Sequence, residues 1–108
     1  MVKLFIDDER QPPNAGWLVA RNFENAVAIM TQYRDTLTDV SFDNDLGLRL
    51  EGRDALKFLV DNAIAVTHIN IHSQNHIAER WMLDYVQQAM RLHVYPEVKL
   101  TTIKFLEG

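Results

Sequence analysis

The sequence predicts an α/β fold with a mostly parallel five-stranded sheet. Short β-rich apolar runs alternate with amphipathic segments of ten or more residues, the pattern left by strand–helix–strand crossovers. Two of those runs stop abruptly at acid: Leu4-Phe5-Ile6 gives way to Asp7-Asp8-Glu9-Arg10, and Val40-Ser41-Phe42 to Asp43-Asn44-Asp45. The chain of 108 residues is one domain's length, enough to bury a single core. Residues 1–108 are therefore read as one domain, with no internal repeat and no low-complexity tract.

Val2-Lys3-Leu4-Phe5-Ile6 reads as a buried strand stopped by charge. Residues 11–16 cannot be helix, because Pro12 and Pro13 remove backbone donors and Gly16 ends the run. Residues 17–20 form a short second strand. Asn22 caps a helix over residues 23–34, whose stripe Phe23, Ala26, Val27, Met30, Tyr33 follows the 3,4 spacing of an amphipathic helix. Residues 40–42 are the next strand, followed by a loop through Gly47 and Gly52 and a helix over residues 53–62 with Leu56, Leu59 and Val60 inward. Residues 67–71 are a strand. Residues 75–93 make the clearest helix, with Ala78, Trp81, Met82, Tyr85, Val86, Ala89 and Met90 on one side. Pro96 stops it, and residues 98–105 supply a last strand. The order β-β-α-β-α-β-α-β fits a flavodoxin-like sheet, 2-1-3-4-5, which sets the first and third strands side by side. Ligands of such sheets bind beyond the strand carboxyl ends where the order reverses, and both acidic clusters land there.

Composition narrows the chemistry. An apolar content of 47% and a charged content of 24% are ordinary for a globular protein. No run approaches the roughly 18 apolar residues of a membrane span, and nothing after Met1 resembles a signal peptide, so a cytoplasmic protein with no membrane partner is expected. Without cysteine, the metal ligands on offer are carboxylate and imidazole. A net charge of −4 argues against broad electrostatic binding to nucleic acid, though not against gripping one phosphate or one strand end.

Carboxylates crowded at about 4 Å repel by roughly 4 kcal/mol per pair at an effective dielectric near 20. Asp7, Asp8, Asp43 and Asp45 therefore need a cation, a basic neighbour or shared protons. Hard oxygen ligands suit Mg²⁺ or Mn²⁺ rather than zinc. A single cluster of this kind is equally well a solvated turn; two at adjacent strand ends favour a metal site. The fourth strand runs into His72-Ser73-Gln74-Asn75-His76 at the start of the long helix. Ser73 or Asn75 is a suitable N-cap, and the unpaired amides of a helix start form a seat for phosphate. Metal on one side and a helix start on the other is a layout for a phosphoryl group, with Ser73, Asn75 and backbone amides taking its oxygens. Asp43 is placed either to attack phosphorus or to hold the metal. His72, with an unperturbed pKa near neutrality, is the candidate general acid or base.

These residues resemble the receiver domains of two-component signalling. Asp7 and Asp8 match the acidic pair after the first strand, Asp43 the phosphate-accepting aspartate, and Ser73 the hydroxyl residue after the fourth strand. Ordinary receivers also carry a Lys, usually before Pro, at the end of the fifth strand; residues 98–104 hold Lys99 and Lys104 but no Lys-Pro. A closer resemblance is to the cyclic-phosphate processing receiver domains, on four motifs in order. These are the LFIDDER run with its prolines (residues 4–13), Asp43-Asn44-Asp45-Leu46-Gly47, Gly52-Arg53-Asp54-Ala55, and His72-Ser73-Gln74-Asn75. The resemblance implies a metal site of Asp7, Asp8, Asp43 and Asp45. It implies phosphate contacts from His72, Ser73 and Asn75, with Arg10 as a clamp. The expected partner is a phosphate-containing small molecule or nucleic-acid end, such as a 2′,3′-cyclic end or cyclic nucleotide, bound and hydrolysed or transferred, or only sensed.

Two helices of an ordinary receiver are missing: the Pro-Pro segment replaces the first, and the chain stops before the last. Both cover the same sheet face, which leads to the expectation that Leu4, Ile6, Val98 and Leu100 are exposed there. A homodimer or partner protein would then cover that face, with Trp17 and Phe105 joining it; alternatively, the loop and tail fold over it.

Overall fold

Five strands pair in parallel in the order β2-β1-β3-β4-β5. The computed structural model describes residues 1–43 and 52–102. Their elements are β1 (Val2–Ile6), β2 (Trp17–Ala20), α1 (Phe23–Gln32), β3 (Leu37–Phe42), α2 (Gly52–Asp61), β4 (His68–Ile71), α3 (His76–Arg91) and β5 (Lys99–Thr102). The register shifts by one residue where Val2 pairs with Leu37 and Lys3 with Asp39, and is regular from there to the strand ends: Ile6 lies beside Ala20 on one side and Phe42 on the other, and Phe42 beside Ile71. The carboxyl ends of β1, β3 and β4 thus reach one edge together.

α1 and α3 each begin on a side-chain cap. Asn22, extended at φ −152°, accepts a hydrogen bond from the amide of Asn25, and Asn75 accepts one from Ala78; such caps satisfy an amide that the first turn leaves without a partner. α2 and α3 end alike, on residues in the left-handed region. At Ala63 (φ 51°) the amides of Ala63 and Ile64 donate to the carbonyls of Val60 and Leu59. At His93 (φ 58°) those of His93 and Val94 donate to Met90 and Ala89. Both are the paired-bond helix terminus usually built on glycine.

The crossovers β2–α1–β3, β3–α2–β4 and β4–α3–β5 all step the same way along the sheet. With right-handed connections, that puts all three helices on one face, and α1 indeed packs on α2 and α2 on α3. β1 and β2 are joined by a loop without helix. The core fills the space between sheet and helices: Leu4, Ile6, Val40, Phe42, Ile69 and Ile71 from the strands, Met30, Leu56, Leu59, Met82 and Val86 from the helices.

This arrangement corrects the expected apolar face. Leu4 and Ile6 are fully buried beneath the helices, and Val98 and Leu100 are half-buried and packed on the same core. Alternation then turns Lys3 and Phe5, Asp39 and Ser41, His68 and Asn70, and Thr101 to the other face, because side chains two apart share a face. That face is largely polar; it is also not bare, since Phe5 is fully buried. The reason given for a partner there does not hold for those four residues, and Phe105 lies outside the described residues. Trp17 does sit on that face, edge-on to Phe5 at 6.2 Å between ring centroids. β3 begins three residues earlier than expected, at Leu37. Trp81 is turned to the outer flank of α3, stacked on Tyr85. No helix of the described residues is long and apolar enough to cross a membrane.

Candidate functional site

The edge where β1 and β3 stop is built by backbone bonds between neighbouring strands. The amide of Asp7 donates to Ala20, that of Asp43 to Ile6, and that of His72 to Phe42. These bonds hold Asp7, Asp43 and His72 side by side at the strand ends. Asp7 then folds the chain back: its Oδ1 accepts from the amides of Glu9 (3.0 Å) and Arg10 (2.9 Å). From the end of β2, Arg21 Nη1 donates to the carbonyls of Asp7 (3.1 Å) and Arg10 (2.6 Å), pinning the turn from the opposite side.

The result is a cluster of three carboxylates. Asp7, Asp8 and Asp43 each present an oxygen within 4.8 Å of the others, a separation at which two charges repel by about 3 kcal/mol at an effective dielectric near 20. Asp7 is buried and Asp8 and Asp43 more open. Burial pushes the Asp7 carboxyl up, but the hydrogen bond with His72 and those from the Arg10 and Glu9 amides outweigh it and hold the group below the usual carboxylate range. Asp7 is thus kept ionised beside two other acids. The cluster fits a small hard cation: octahedral ligands at about 2.1 Å stand roughly 3–4 Å apart, so a modest contraction of these oxygens around Mg²⁺ or Mn²⁺ suffices.

His72 backs the cluster. It is completely buried, its ring stacked on Phe5 at 4.5 Å between centroids. Nε2 lies 3.1 Å from Asp7 Oδ2 and Nδ1 lies 2.6 Å from Ser41 Oγ. Behind Ser41 a chain of polar side chains crosses the helix-free face. Asn70 Nδ2 donates to Ser41 Oγ (2.9 Å), Thr101 Oγ1 donates to Asn70 Oδ1 (2.7 Å), and His68 stands between Thr101 Oγ1 (2.6 Å) and Asp39 Oδ2 (3.2 Å).

The β4–α3 junction opens at the same edge. Ser73 is buried, its hydroxyl accepting from the Asn75 amide at 3.0 Å, while Asn75 is exposed and caps α3 with its side-chain carbonyl. That cap leaves the carboxamide NH₂ able to donate to an anion without disturbing the helix start.

The family model of the cyclic-phosphate processing receiver domain matches residues 2–88 of this chain. The chain belongs to that family. No curated protein and no solved structure matches it.

Within this receiver domain, the structure brings Asp7, Asp8 and Asp43 together and sets His72 and Ser73 at the adjoining strand end, with Asn75 opening the helix that follows. Arg10 is half-buried in the turn that Asp7 organises. Asp45 lies outside the described residues, as does Lys104. Lys99 opens β5 in register with His68, at the edge of the sheet opposite the acids, so it is not the lysine of ordinary receivers. His72 is placed differently from the role expected of it: with both ring nitrogens engaged and no exposed surface, it faces Asp7 and not the solvent side of the cluster. Sequence reading missed Ser41, Asn70, Thr101 and Arg21. A signal for the first two was present, since Asp39 and Ser41, and His68, Asn70 and His72, place polar groups at every second position along the third and fourth strands and just beyond.

Proposed function

We propose that this receiver domain binds a phosphate ester through a divalent cation held by Asp7, Asp8 and Asp43, and hydrolyses or transfers the phosphoryl group. The ligand class suggested by the family is a cyclic phosphate of a nucleotide or an RNA end. The observation that carries the reading is the triad of carboxylate oxygens within 4.8 Å at the carboxyl edge of the sheet, where sheets of this order bind their ligands. When bound, the cation would neutralise charge on the phosphoryl oxygens. Asn75, with the amides that open α3, would take a further oxygen. Ser73 Oγ accepts from the Asn75 amide, and its own hydroxyl proton is what it would offer a phosphoryl oxygen. Asp43, the acid ending the central strand, is the group for attack on phosphorus or for the cation. The test is a titration with Mg²⁺ and Mn²⁺ followed by a panel of 2′,3′- and 3′,5′-cyclic nucleotides monitored by ³¹P NMR. Metal-dependent turnover lost in Asp43→Asn supports the proposal. Absence of metal binding removes it.

One observation favours a second reading, a phosphate-receiving or ligand-sensing module. His72, the candidate general acid or base, is sealed from solvent by its packing, so proton transfer to a leaving group would have to come from elsewhere. On that reading acetyl phosphate with Mg²⁺ adds one phosphoryl group, and the adduct maps to Asp43 by intact-mass and peptide analysis. Cyclic nucleotides would bind unchanged or not at all.

A further inference from the structure

The hydrogen-bond chain behind the acidic cluster has a direction. Asn70 meets Ser41 with its NH₂ group, which only donates, and among the hydrogen bonds of the described residues the Ser41 hydroxyl proton finds an acceptor when it points at His72 Nδ1. On that assignment Nδ1 is bare and the ring proton sits on Nε2, facing Asp7 Oδ2. Asn70 is held in this orientation from its other end, since its carbonyl oxygen accepts from Thr101 Oγ1 at 2.7 Å. Turning the Asn70 amide over reverses the sequence of donors. Ser41 would accept from Nδ1–H, and His72 would face an ionised carboxylate with a bare nitrogen unless it carried two protons. The first order of donors is the one that sets a ring proton against the Asp7 carboxylate. All the links from Ser41 to Asp7 are buried: Ser41 is 2% exposed, Asn70 6%, His72 0% and Asp7 1%.

We propose that Ser41, Asn70 and Thr101 are positioning residues for the acidic site. Acting through His72, they lock its Nε2–H tautomer and so hold the Asp7 carboxylate as an aimed acceptor. None of the three touches the cluster itself. The effect on a bound cation rests on the metal-binding reading above; the tautomer does not, and it is measured without metal.

Two-bond ¹H–¹⁵N correlation spectra of the metal-free protein read the His72 ring directly. In the unmodified chain Nδ1 should resonate as a bare nitrogen and Nε2 as a protonated one. Ser41→Ala should mix the tautomers. Because Ser41 is buried in a central strand, the Thr101→Val and Thr101→Ser pair provides a milder second test on the edge strand. Valine keeps the shape and removes the donor; serine keeps the donor. Thr101→Val should shift the His72 ring toward the mixed state and weaken Mn²⁺ binding, read by electron paramagnetic resonance, by less than the roughly tenfold loss usual when a direct outer partner of a metal ligand is removed. Thr101→Ser should restore both. A proton on Nδ1 of His72 in the unmodified chain overturns the proposal, as does an unchanged ring in both Ser41→Ala and Thr101→Val. If the unmodified chain binds no cation, the metal reading fails while the ring spectra still decide the tautomer.

Discussion

Asp7 Oδ2 and His72 Nε2 lie 3.1 Å apart with neither side chain open to water. Asp7 also accepts two backbone amides, so the folded chain supplies three donors to one carboxylate. That is why its pKa stays low despite a burial that acts the other way. A carboxyl whose folded pKa is depressed contributes stability above its unfolded value, near 3.9, and the contribution is lost as pH falls through the lower folded value. Urea denaturation between pH 6 and about pH 2 should therefore show an acid limb that flattens in Asp7→Asn. An unchanged limb would assign the acid loss to other carboxylates.

Asp7 and its neighbour Asp8 should separate stability from metal binding. Asparagine at position 7 keeps one acceptor for the turn but sets an NH₂ group against His72, leaving a buried donor facing a donor. A loss of about 1–3 kcal/mol is expected, measured by denaturation without metal. Asp8 is more exposed, so Asp8→Asn should cost less. On the metal-binding reading Mg²⁺ should raise the melting temperature of the unmodified chain, and both substitutions should abolish that rise. At 100 times its dissociation constant that rise corresponds to about 2.7 kcal/mol, on the order of 10–20 °C for a domain of this size.

The parts of this architecture that were legible in the sequence are those written in local patterns. The stripe on α1, the caps at Asn22 and Asn75, and the acids ending β1 and β3 all announce themselves within a few residues. The face of each strand does not. The sequence alone puts Leu4 and Ile6 on the uncovered side, yet they share their face with Val40, Phe42, Ile69 and Ile71 under the helices. That assignment depends on which way a period-2 pattern is turned, a property of the whole sheet. Ser41 and Asn70 read as minor polar interruptions until register sets them beside each other. The burial of His72 likewise comes from Phe5, 67 positions away in the chain, through stacking no local pattern records.

The helix termini offer a stability test independent of the site. Ala63 closes α2 at φ 51° and His93 closes α3 at φ 58°, where an L residue pays roughly 1 kcal/mol that glycine avoids. Glycine loses some of this gain to its freer unfolded chain. Ala63→Gly should stabilise the domain by about 0.5 kcal/mol, seen as a higher urea midpoint with unchanged slope. His93→Gly should act in the same direction, and the two should add, because they close different helices. A loss of stability in Ala63→Gly would mean that the side chain contributes packing that outweighs the backbone gain.

The alkaline limb should belong to Tyr95. Its side chain is 3% exposed and its hydroxyl donates to the carbonyl of Ile64 at 2.7 Å. Burial pushes the phenol up to about 12, against a smaller opposing effect from a backbone hydrogen bond. The fold thus favours the neutral ring: this stability is fully present below the unfolded pKa near 10 and is lost as pH rises from there through the folded value. About 1–3 kcal/mol should disappear over that interval. Tyr95→Phe should remove most of the dependence while costing about 1 kcal/mol at neutral pH, where the Ile64 carbonyl loses its donor. Denaturant midpoints from pH 8 to about pH 11.5, with phenolate absorbance followed in parallel, check both statements. Ionisation of Tyr95 near pH 10 in the folded chain would show that water reaches the ring and would refute the assignment.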